Sequence, residues 1–284
     1  MTTIKRILVP TDFSENARTA YEYAIDLAEK HKASIDVIHI YTPVDDGIPM
    51  IAPDRVSSIE LKTQLTDFVT HSIEDDDDEG YISMRRVKVN AELKFGGVSD
   101  TIIDLSKKDY DLVVMGSVGT GSFAEIVFGS VTTKVAQDAY CPVLVVPKNS
   151  HFRSIERLLY ACDFKHKSFK HPAIIAEVAT LFKSKIDLVY VKDKDGKSEN
   201  YAQDLSDMQT VFATQAPLLT VKTHIIEEED VFYGINQFAE SHKTDMVVLI
   251  TKHHSFLEKA FRISVTKHMA MYTMLPLWII KATD

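Results

Sequence analysis

The chain has 284 residues, of which 45% are hydrophobic and 26% are charged, the composition of a globular protein. That length is enough for two domains of ordinary size, since a domain usually holds ~100–150 residues. The formal net charge of −9 argues against a nucleic-acid-binding surface, and no apolar run approaches the ~20 residues that cross a bilayer.

The first residues, MTTIKRILVPTDF, lack the layout of a signal peptide and enter a strand-like run almost at once. The chain holds two cysteines, Cys141 and Cys162, which are too few for a disulfide framework. We therefore expect a cytoplasmic protein with two unreactive thiols and no membrane attachment.

The first predicted strand covers residues 7–9 and ends in the polar turn Pro-Thr-Asp-Phe. Either Ser14 or Asp12 is expected to cap the helix that follows. This helix carries small and apolar side chains at helical spacing, namely Ala17, Ala20, Tyr21, Ala24, Leu27 and Ala28. A second strand is predicted over residues 35–40.

Helices and strands continue to alternate along the first half. A helix over residues 53–71 has as its apolar positions Val56, Ile59, Leu65 and Phe68. Gly97 is expected to open a helix that carries Ile102, Ile103 and Leu105. The remaining predictions are strands over 87–93, 112–115 and 143–146 and a helix over 122–138.

The acidic run Glu74-Asp75-Asp76-Asp77-Asp78-Glu79 interrupts this alternation. A cation site is one reading of such a run, but the ligand spacing of a calcium loop is missing. A solvated loop is the simpler interpretation.

The chain repeats itself. Residues 6–41, RILVPTDFSENARTAYEYAIDLAEKHKASIDVIHIY, align without a gap with residues 157–192, RLLYACDFKHKSFKHPAIIAEVATLFKSKIDLVYVK. Later in each half, DLVVMG at 111–116 aligns with DMVVLI at 245–250. Such a repeat predicts two copies of one domain.

Strands that alternate with helices predict a parallel sheet covered by helices on both faces. The fold class is therefore α/β, with two tandem doubly wound, Rossmann-like parallel-sheet domains over residues 1–149 and 150–284. In such sheets ligands bind beyond the carboxyl ends of strands, where the strand order switches. We expect the Asp12 turn, the strand end at Ile40 and the Gly116 loop to converge on one site.

Four of the ten glycines fall in residues 116–130, GSVGTGSFAEIVFGS, between a buried strand and a predicted helix. Backbone N–H groups at a helix N-terminus suit an anion, and glycines leave room for a phosphate. Gly129 and Ser130 also offer a second, shorter helix start, with the Ser130 hydroxyl as a further donor. The alternative interpretation is that these glycines only form turns.

Three phosphate-binding signatures can be compared with this stretch. The P-loop requires a lysine that is missing here, and the dinucleotide fingerprint, matched at residues 119–124, belongs after the first strand of its fold rather than the fourth. The third signature, G-x-x-G-x(9)-G-[ST], is matched without deviation by Gly116, Gly119, Gly129 and Ser130.

With these motifs the sequence resembles the universal stress protein family in its tandem-domain form. The resemblance lies in ILVPTDFSENA, DLVVMGSVGTGSFAEIVFGSVTTKV and CPVLVVP, and it covers nearly the whole first half. The ATP-binding branch of that family carries the same glycine spacing. The implied fold is that of the adenine nucleotide alpha hydrolases.

The resemblance also implies roles for individual residues. Asp12, with Pro10 and Thr11, would lie against the ribose and adenine end of ATP, and the backbone of Ile40 would bond the adenine edge. The nucleotide would be lined by Met115, Gly116 and Gly119. The phosphates would be held by Gly129, Ser130, Val131 and Thr132. Magnesium or manganese would be carried on the phosphates, with no metal ligands from the protein.

The second half departs from the glycine pattern. The residues aligned with Gly116, Gly119 and Gly129 are Ile250, His253 and Ile263, and only Ser130 has its counterpart, Ser264. Pro10 and Thr11 become Ala161 and Cys162, while Asp163 keeps the acidic position. Because the fold signals persist without the glycines, phosphate binding is favoured over folding as the reason for the glycines. We expect one nucleotide per chain, in the first half.

Three functions remain open from the sequence. The first is a cytoplasmic ATP-binding stress or regulatory protein that switches conformation or partner with its ligand, has no catalytic residues and hydrolyses ATP slowly if at all. The second is a nucleotide-independent scaffold, or a binder of an apolar ligand between the two domains. The third is an enzyme that uses ATP. The resemblance further implies that the two domains pack as a pseudo-dimer, and leaves room for dimerisation of whole chains.

Overall fold

A computed structural model describes residues 3–41, 55–71, 74–76, 82–84, 86–108, 110–118, 128–148, 150–162, 171–192, 201–251 and 275–281. The chain forms two compact units. The first unit comprises Ile4–Ala124 and Phe128–Phe152, and the second unit includes Arg153–Asp284.

The first unit alternates strands with helices, as the sequence predicts. Its elements, in chain order, are β1 (Arg6–Thr11), α1 (Glu15–His31), β2 (Ser34–Tyr41), α2 (Arg55–His71), β3 (Glu74–Asp76), β4 (Ile82–Met84), β5 (Lys88–Phe95), α3 (Val98–Ser106), β6 (Leu112–Gly116), α4 (Ser130–Asp138) and β7 (Val143–Val146).

The main sheet of the first unit is parallel, with the order β7-β6-β1-β2-β5 among its described strands. From β1 the chain moves outward through β2 to β5, and then returns to place β6 on the other side of β1. The strand order therefore switches between β1 and β6. In doubly wound sheets this is where ligands bind, at the carboxyl ends of the strands.

Helix α1 forms where the sequence predicts it. Ser14 is the N-cap and its hydroxyl accepts a hydrogen bond from the Ala17 N–H at 3.1 Å, so Ser14 rather than Asp12 caps the helix. Lys32 ends the helix in a left-handed conformation, with φ of 57°. The predicted apolar face is buried against the sheet: Ala17, Ala20, Tyr21, Ala24, Leu27 and Ala28.

The second unit repeats this plan. Its elements, in chain order, are β8 (Arg157–Ala161), α5 (His171–Phe182), β9 (Lys185–Lys192), α6 (Tyr201–Gln215), β10 (Val221–Glu227), α7 (Val231–Ser241), β11 (Met246–Thr251) and β12 (Leu277–Lys281). The described strands are parallel in the order β12-β11-β8-β9-β10, which matches the order in the first unit. The prediction of two tandem doubly wound sheets is confirmed.

Three local predictions are wrong. Ile59 is 65% exposed, whereas Leu65 and Phe68 are buried. Ile59 lies six positions before Leu65, which is not a whole number of turns at ~3.6 residues per turn, so the two side chains are on different faces of α2. The acidic run is not all loop, because β3 pairs antiparallel with β4. The helix predicted over 122–138 is not continuous, because Gly129 is the N-cap of α4, which starts at Ser130; residues 122–127 of that prediction lie outside the described residues.

The cores of both units consist of the apolar strand residues and the inner faces of the helices. Strand β6 illustrates the pattern, because Leu112, Val113 and Val114 have no exposed surface. In the second unit, Trp278 of β12 is equally buried. Among the helices in the described ranges, none is both long and apolar enough to cross a lipid bilayer.

Candidate functional site

The turn after β1 is held by its own polar side chains. The Phe13 N–H donates to Thr11 Oγ1 at 3.0 Å, and the Ser14 N–H donates to Asp12 Oδ1 at 3.1 Å. Phe13 lies in the left-handed region with φ of 64°, which is uncommon for a bulky residue. The turn therefore has a fixed shape at the carboxyl end of the central strand.

The ends of β1 and β2 are joined through His39. Its Nδ1 lies 2.9 Å from the Thr11 carbonyl oxygen, and its ring stacks on Phe13 with centroids 4.3 Å apart. Because a carbonyl only accepts hydrogen bonds, Nδ1 carries the proton. Phe68 of α2 packs edge-on against Phe13 at 5.9 Å. The next residue along β2, Ile40, is 7% exposed.

Gly116 ends β6 in close contact with α1. A Cβ atom at this position would lie 2.9 Å from the backbone oxygen of Asn16, closer than real Cβ contacts allow. The fold itself therefore requires a glycine here. This corrects the interpretation that phosphate binding, rather than folding, explains Gly116.

The last residue of β6 and the residue after it are bonded to the start of α4. The Gly116 carbonyl accepts a hydrogen bond from Thr132 Oγ1 at 3.0 Å, and the Ser117 carbonyl accepts one from the Gly129 N–H at 2.8 Å. The Ser117 N–H donates to the Val146 carbonyl at the end of β7, at 3.0 Å. These bonds fix the N-terminus of α4 beside the carboxyl end of β6.

The N-terminus of α4 is suited to an anion. Gly129, the N-cap, has extended backbone with φ of −66° and ψ of 154°, and the first turn of this described helix carries no acidic side chain. The N–H groups of residues 130–132 have no acceptor within the helix. The helix dipole adds partial positive charge at the same place. Ser130 is exposed, whereas Thr132 is buried and its hydroxyl is engaged by Gly116.

All but one of the predicted site residues belong to the described part of the first unit. Pro10, Thr11 and Asp12 lie at and after the end of β1, Ile40 lies near the end of β2, and Met115 and Gly116 end β6. Residues 129–132 form the start of α4. The elements that carry them are linked by the bonds of Thr11, Ser117 and Thr132. Gly119 lies outside the described residues.

Some residues that shape this region were not identified from the sequence. Asn16 is the clearest example: it is 5% exposed and its Nδ2 donates to the Val118 carbonyl at 3.1 Å. A signal existed, because Asn16 precedes Ala20 and Ala24 at intervals of four and so is a polar residue on the buried face of α1. The left-handed backbone of Phe13 had no such signal.

The cysteines are free thiols. Burial raises the pKa of the Cys141 thiol to about 12, so almost no thiolate forms at neutral pH and the thiol is unreactive. In the ranges that the structure describes, no group of three or more His, Cys, Asp or Glu side chains could hold a metal ion.

Comparison with known proteins agrees with this architecture. The model of the universal stress protein family matches the chain twice, at residues 3–147 and 154–281. The two matches divide the chain as the structural repeat does.

Individual relatives match about half of the chain. Universal stress protein MJ0531 of Methanocaldococcus jannaschii is 30% identical over 151 residues, which cover 51% of this chain and 82% of that protein. Universal stress protein Rv2624c of Mycobacterium tuberculosis is 25% identical over 144 residues, covering 51% of this chain and 48% of the relative. The alignment with the second relative thus spans about half of its length.

Among solved structures, a universal stress protein from Archaeoglobus fulgidus resembles the whole chain. The TM-score is 0.72 at 22% identity, and the match covers 100% of this chain and 98% of that one. This likeness supports the fold.

Proposed function

Because the chain belongs to the universal stress protein family, we propose that its first unit binds ATP where β1 and β6 meet and that the bound state alters the protein's conformation or choice of partner. The observation that carries this proposal is the start of α4. This helix has a glycine N-cap and no acidic side chain in its first turn. The Gly129 N–H donates a hydrogen bond to the Ser117 carbonyl at 2.8 Å, which joins the start of α4 to the residue that follows β6. An anion there would receive backbone N–H donors and a favourable dipole.

The adenine and ribose end would lie between the ends of β1 and β2. Asp12 and Thr11 sit in a turn whose shape is fixed by its own hydrogen bonds. The hydrogen bond between His39 and the Thr11 carbonyl holds this turn beside Ile40. A nucleoside would thus find polar groups whose positions are set before it binds, which lowers the entropic cost of binding.

Binding is a better proposal than turnover. None of the predicted site residues is a lysine or arginine, and such a cation is what stabilises the charge on a transferring phosphoryl group. Lys134, one turn into α4, forms an ion pair with Asp100 of α3. Magnesium or manganese carried on the phosphates would neutralise part of the charge. Any hydrolysis should therefore be slow.

A ligand at this site would act on two elements at once. Phosphates held at the start of α4 and a nucleoside held at the β1 turn would couple the positions of these segments. Such a ligand shifts a conformational equilibrium only as far as it binds one state more tightly than the other. We also expect the protein to work in the cytoplasm, where ATP is available.

The test is replacement of Gly129 by valine. The extended backbone at this position accepts any L residue, so Gly129→Val should fold normally while its side chain occupies space beside the N–H groups of α4. Titration calorimetry with Mg-ATP should show binding to the wild type and an affinity lowered by about 100-fold or more in the variant.

Ile263→Val is the matched control, because Ile263 aligns with Gly129 in the second half. It should leave ATP affinity unchanged. A wild type that binds no ATP at millimolar concentration would refute the proposal, and equal affinities of wild type and Gly129→Val would refute the site.

A further inference from the structure

Three consecutive carbonyl groups, starting at the last residue of β6, each accept a hydrogen bond from α4 or its N-cap or from α1. The donors to Gly116 and Ser117 come from α4, through Thr132 Oγ1 and the Gly129 N–H. The donor to Val118 comes from α1, through Asn16 Nδ2 at 3.1 Å. Residues 116–118, the strand-end segment, are therefore held from two sides, by α4 and by α1.

Asn16 is well placed for this role. Its side chain is almost fully buried, and Nδ2 also lies 3.5 Å from Ser117 Oγ. Its backbone carbonyl oxygen is the atom that a Cβ on Gly116 would meet. Backbone and side chain of one residue thus contact all three residues of the strand-end segment.

The carboxamide oxygen of Asn16 differs from its nitrogen in having no described partner. This Oδ1 atom is buried and has no hydrogen-bond partner among the residues that the structure describes. A buried acceptor without a donor lowers stability, and an apolar side chain of similar size would avoid that cost. Apolar packing therefore does not explain why this position is an asparagine, whereas the hydrogen bond from Nδ2 to the Val118 carbonyl does.

We propose that Asn16 is a positioning residue of the nucleotide site. Its hydrogen bond to the Val118 carbonyl fixes the position of the strand-end segment, and through it the position of the start of α4, where the phosphates would bind. This inference rests on the proposed ATP binding. Without Asn16, the Val118 carbonyl has lost its donor and can turn toward bound phosphate, where its partial negative charge repels the ligand. The start of α4 then loses the support that α1 gives it.

The adenine end does not depend on Asn16. The turn after β1 is fixed by Thr11 Oγ1 and Asp12 Oδ1, and its link to β2 runs through His39. The proposal therefore predicts a loss that grows with the number of phosphates on the ligand. A merely structural asparagine would weaken all ligands alike.

The experiment compares ATP with adenosine as probes for wild type and Asn16→Ala. We expect the variant to bind Mg-ATP about five- to tenfold more weakly, the loss expected for one hydrogen bond, and adenosine within about twofold of wild type. Asn236→Ala is the control, because Asn236 is a buried asparagine of α7 in the second unit. It should leave both affinities unchanged. Equal losses for ATP and adenosine, or no loss for ATP, would overturn the proposal.

Amide hydrogen exchange of the ligand-free protein separates this inference from the proposed function. Asn16→Ala should speed exchange of the Gly129 and Ser117 amides, which bond to the Ser117 and Val146 carbonyls. Unchanged exchange at both amides means that Asn16 does not hold the segment, whether or not ATP binds. Faster exchange in a protein that binds no ATP would support the contact and refute the proposed ATP site.

Discussion

The two units begin their central strands with the same contact and end them differently. Asp111 Oδ2 accepts hydrogen bonds from the N–H groups of Lys5 and Arg6 at 2.7 and 3.0 Å. In the second unit, Asp245 Oδ2 accepts from the N–H groups of Glu156 and Arg157, both at 2.9 Å.

The carboxyl ends differ between the units. Strand β6 ends in Gly116, whose contact with α1 leaves no room for a side chain, whereas the aligned residue of β11 is the half-buried Ile250. Contacts that build the sheet are thus shared by the two copies, and the differences lie where ligands bind in this fold. In its sequence, the second unit has Ile250, His253 and Ile263 in place of the glycines on which the proposed phosphate site depends.

A buried carboxylate shows a second difference. Asp36 of β2 accepts hydrogen bonds from Arg6 Nε at 2.8 Å, from Asn90 Nδ2 at 2.7 Å and from the Tyr110 hydroxyl at 2.8 Å. The aligned Asp187 of β9 is bonded to His224 at 2.9 Å, with the Arg157 guanidinium at 3.6 Å.

The largest effect is expected from removing these carboxylates. Asp36→Ala should lower the free energy of unfolding by about 3 kcal/mol, because it leaves three donors, one of them charged, without their acceptor. Asp187→Ala should cost less, since its ion pair with Arg157 is longer. Chemical denaturation of both variants measures the two losses. Equal losses would mean that the units rely on this carboxylate to the same extent.

The effect of Asp36 should also depend on pH. Burial alone would raise the pKa of this carboxyl, but hydrogen bonds from Asn90, Tyr110 and Arg6 outweigh it and hold the pKa below its ordinary value of 3.8. A lowered pKa in the folded state stabilises the protein above pH 3.8, and this stabilisation is lost as the pH falls through the folded-state value. The stability gap between wild type and Asp36→Ala should therefore narrow in acid below pH 3.8 and stay constant at neutral pH.

Glycine substitutions, one in each unit, test whether packing at the end of β6 requires a glycine. Gly116→Ala should destabilise the protein by about 2 kcal/mol, because the added methyl group meets backbone that cannot move aside. Gly234 of α7 is the control: the atoms nearest to its Cβ would be side-chain atoms, of Glu228 and Val191 at 3.1 Å.

Gly234→Ala should be within about 1 kcal/mol of neutral, since alanine favours the helix and the side chains can adjust. Thermal unfolding measures both variants. If Gly116→Ala costs no more than Gly234→Ala, packing does not require the glycine and its role would lie with the ligand alone.

The smallest difference is expected at the amino ends of the strands. Asp111→Ala and Asp245→Ala should each cost about 1–2 kcal/mol, because each removes the acceptor of two backbone N–H groups at a partly exposed site. The two losses should agree within about 0.5 kcal/mol. A clear difference between the denaturation midpoints of the two variants would show that Asp111 and Asp245 do not stabilise their units equally.

Much of the fold could be predicted from the sequence because its signals are local. The apolar strands and the apolar face of α1 follow from residue type and spacing, and the repeat predicts the second unit from the first. The cap of α1 was narrowed to Ser14 or Asp12, and the structure shows that it is Ser14. The antiparallel pair β3–β4 could not be predicted in this way, since acidic residues are poor strand formers.

The candidate site could be predicted only in part, because its geometry depends on contacts between residues that are distant in the sequence. Glycine spacing pointed to the ends of β6 and α4. Spacing does not reveal that the backbone of Asn16 presses on Gly116, because that contact depends on how α1 packs on the sheet. Spacing also does not reveal that Phe13 has a left-handed backbone and that its ring stacks on His39.

We propose that the first unit alone binds ATP. The most direct test is a calorimetric titration of the wild type with Mg-ATP, which counts sites as well as affinity. We predict one site per chain, lost in Gly129→Val and kept in Ile263→Val. Two sites per chain, or a site that survives Gly129→Val, would contradict ATP binding at the start of α4 alone.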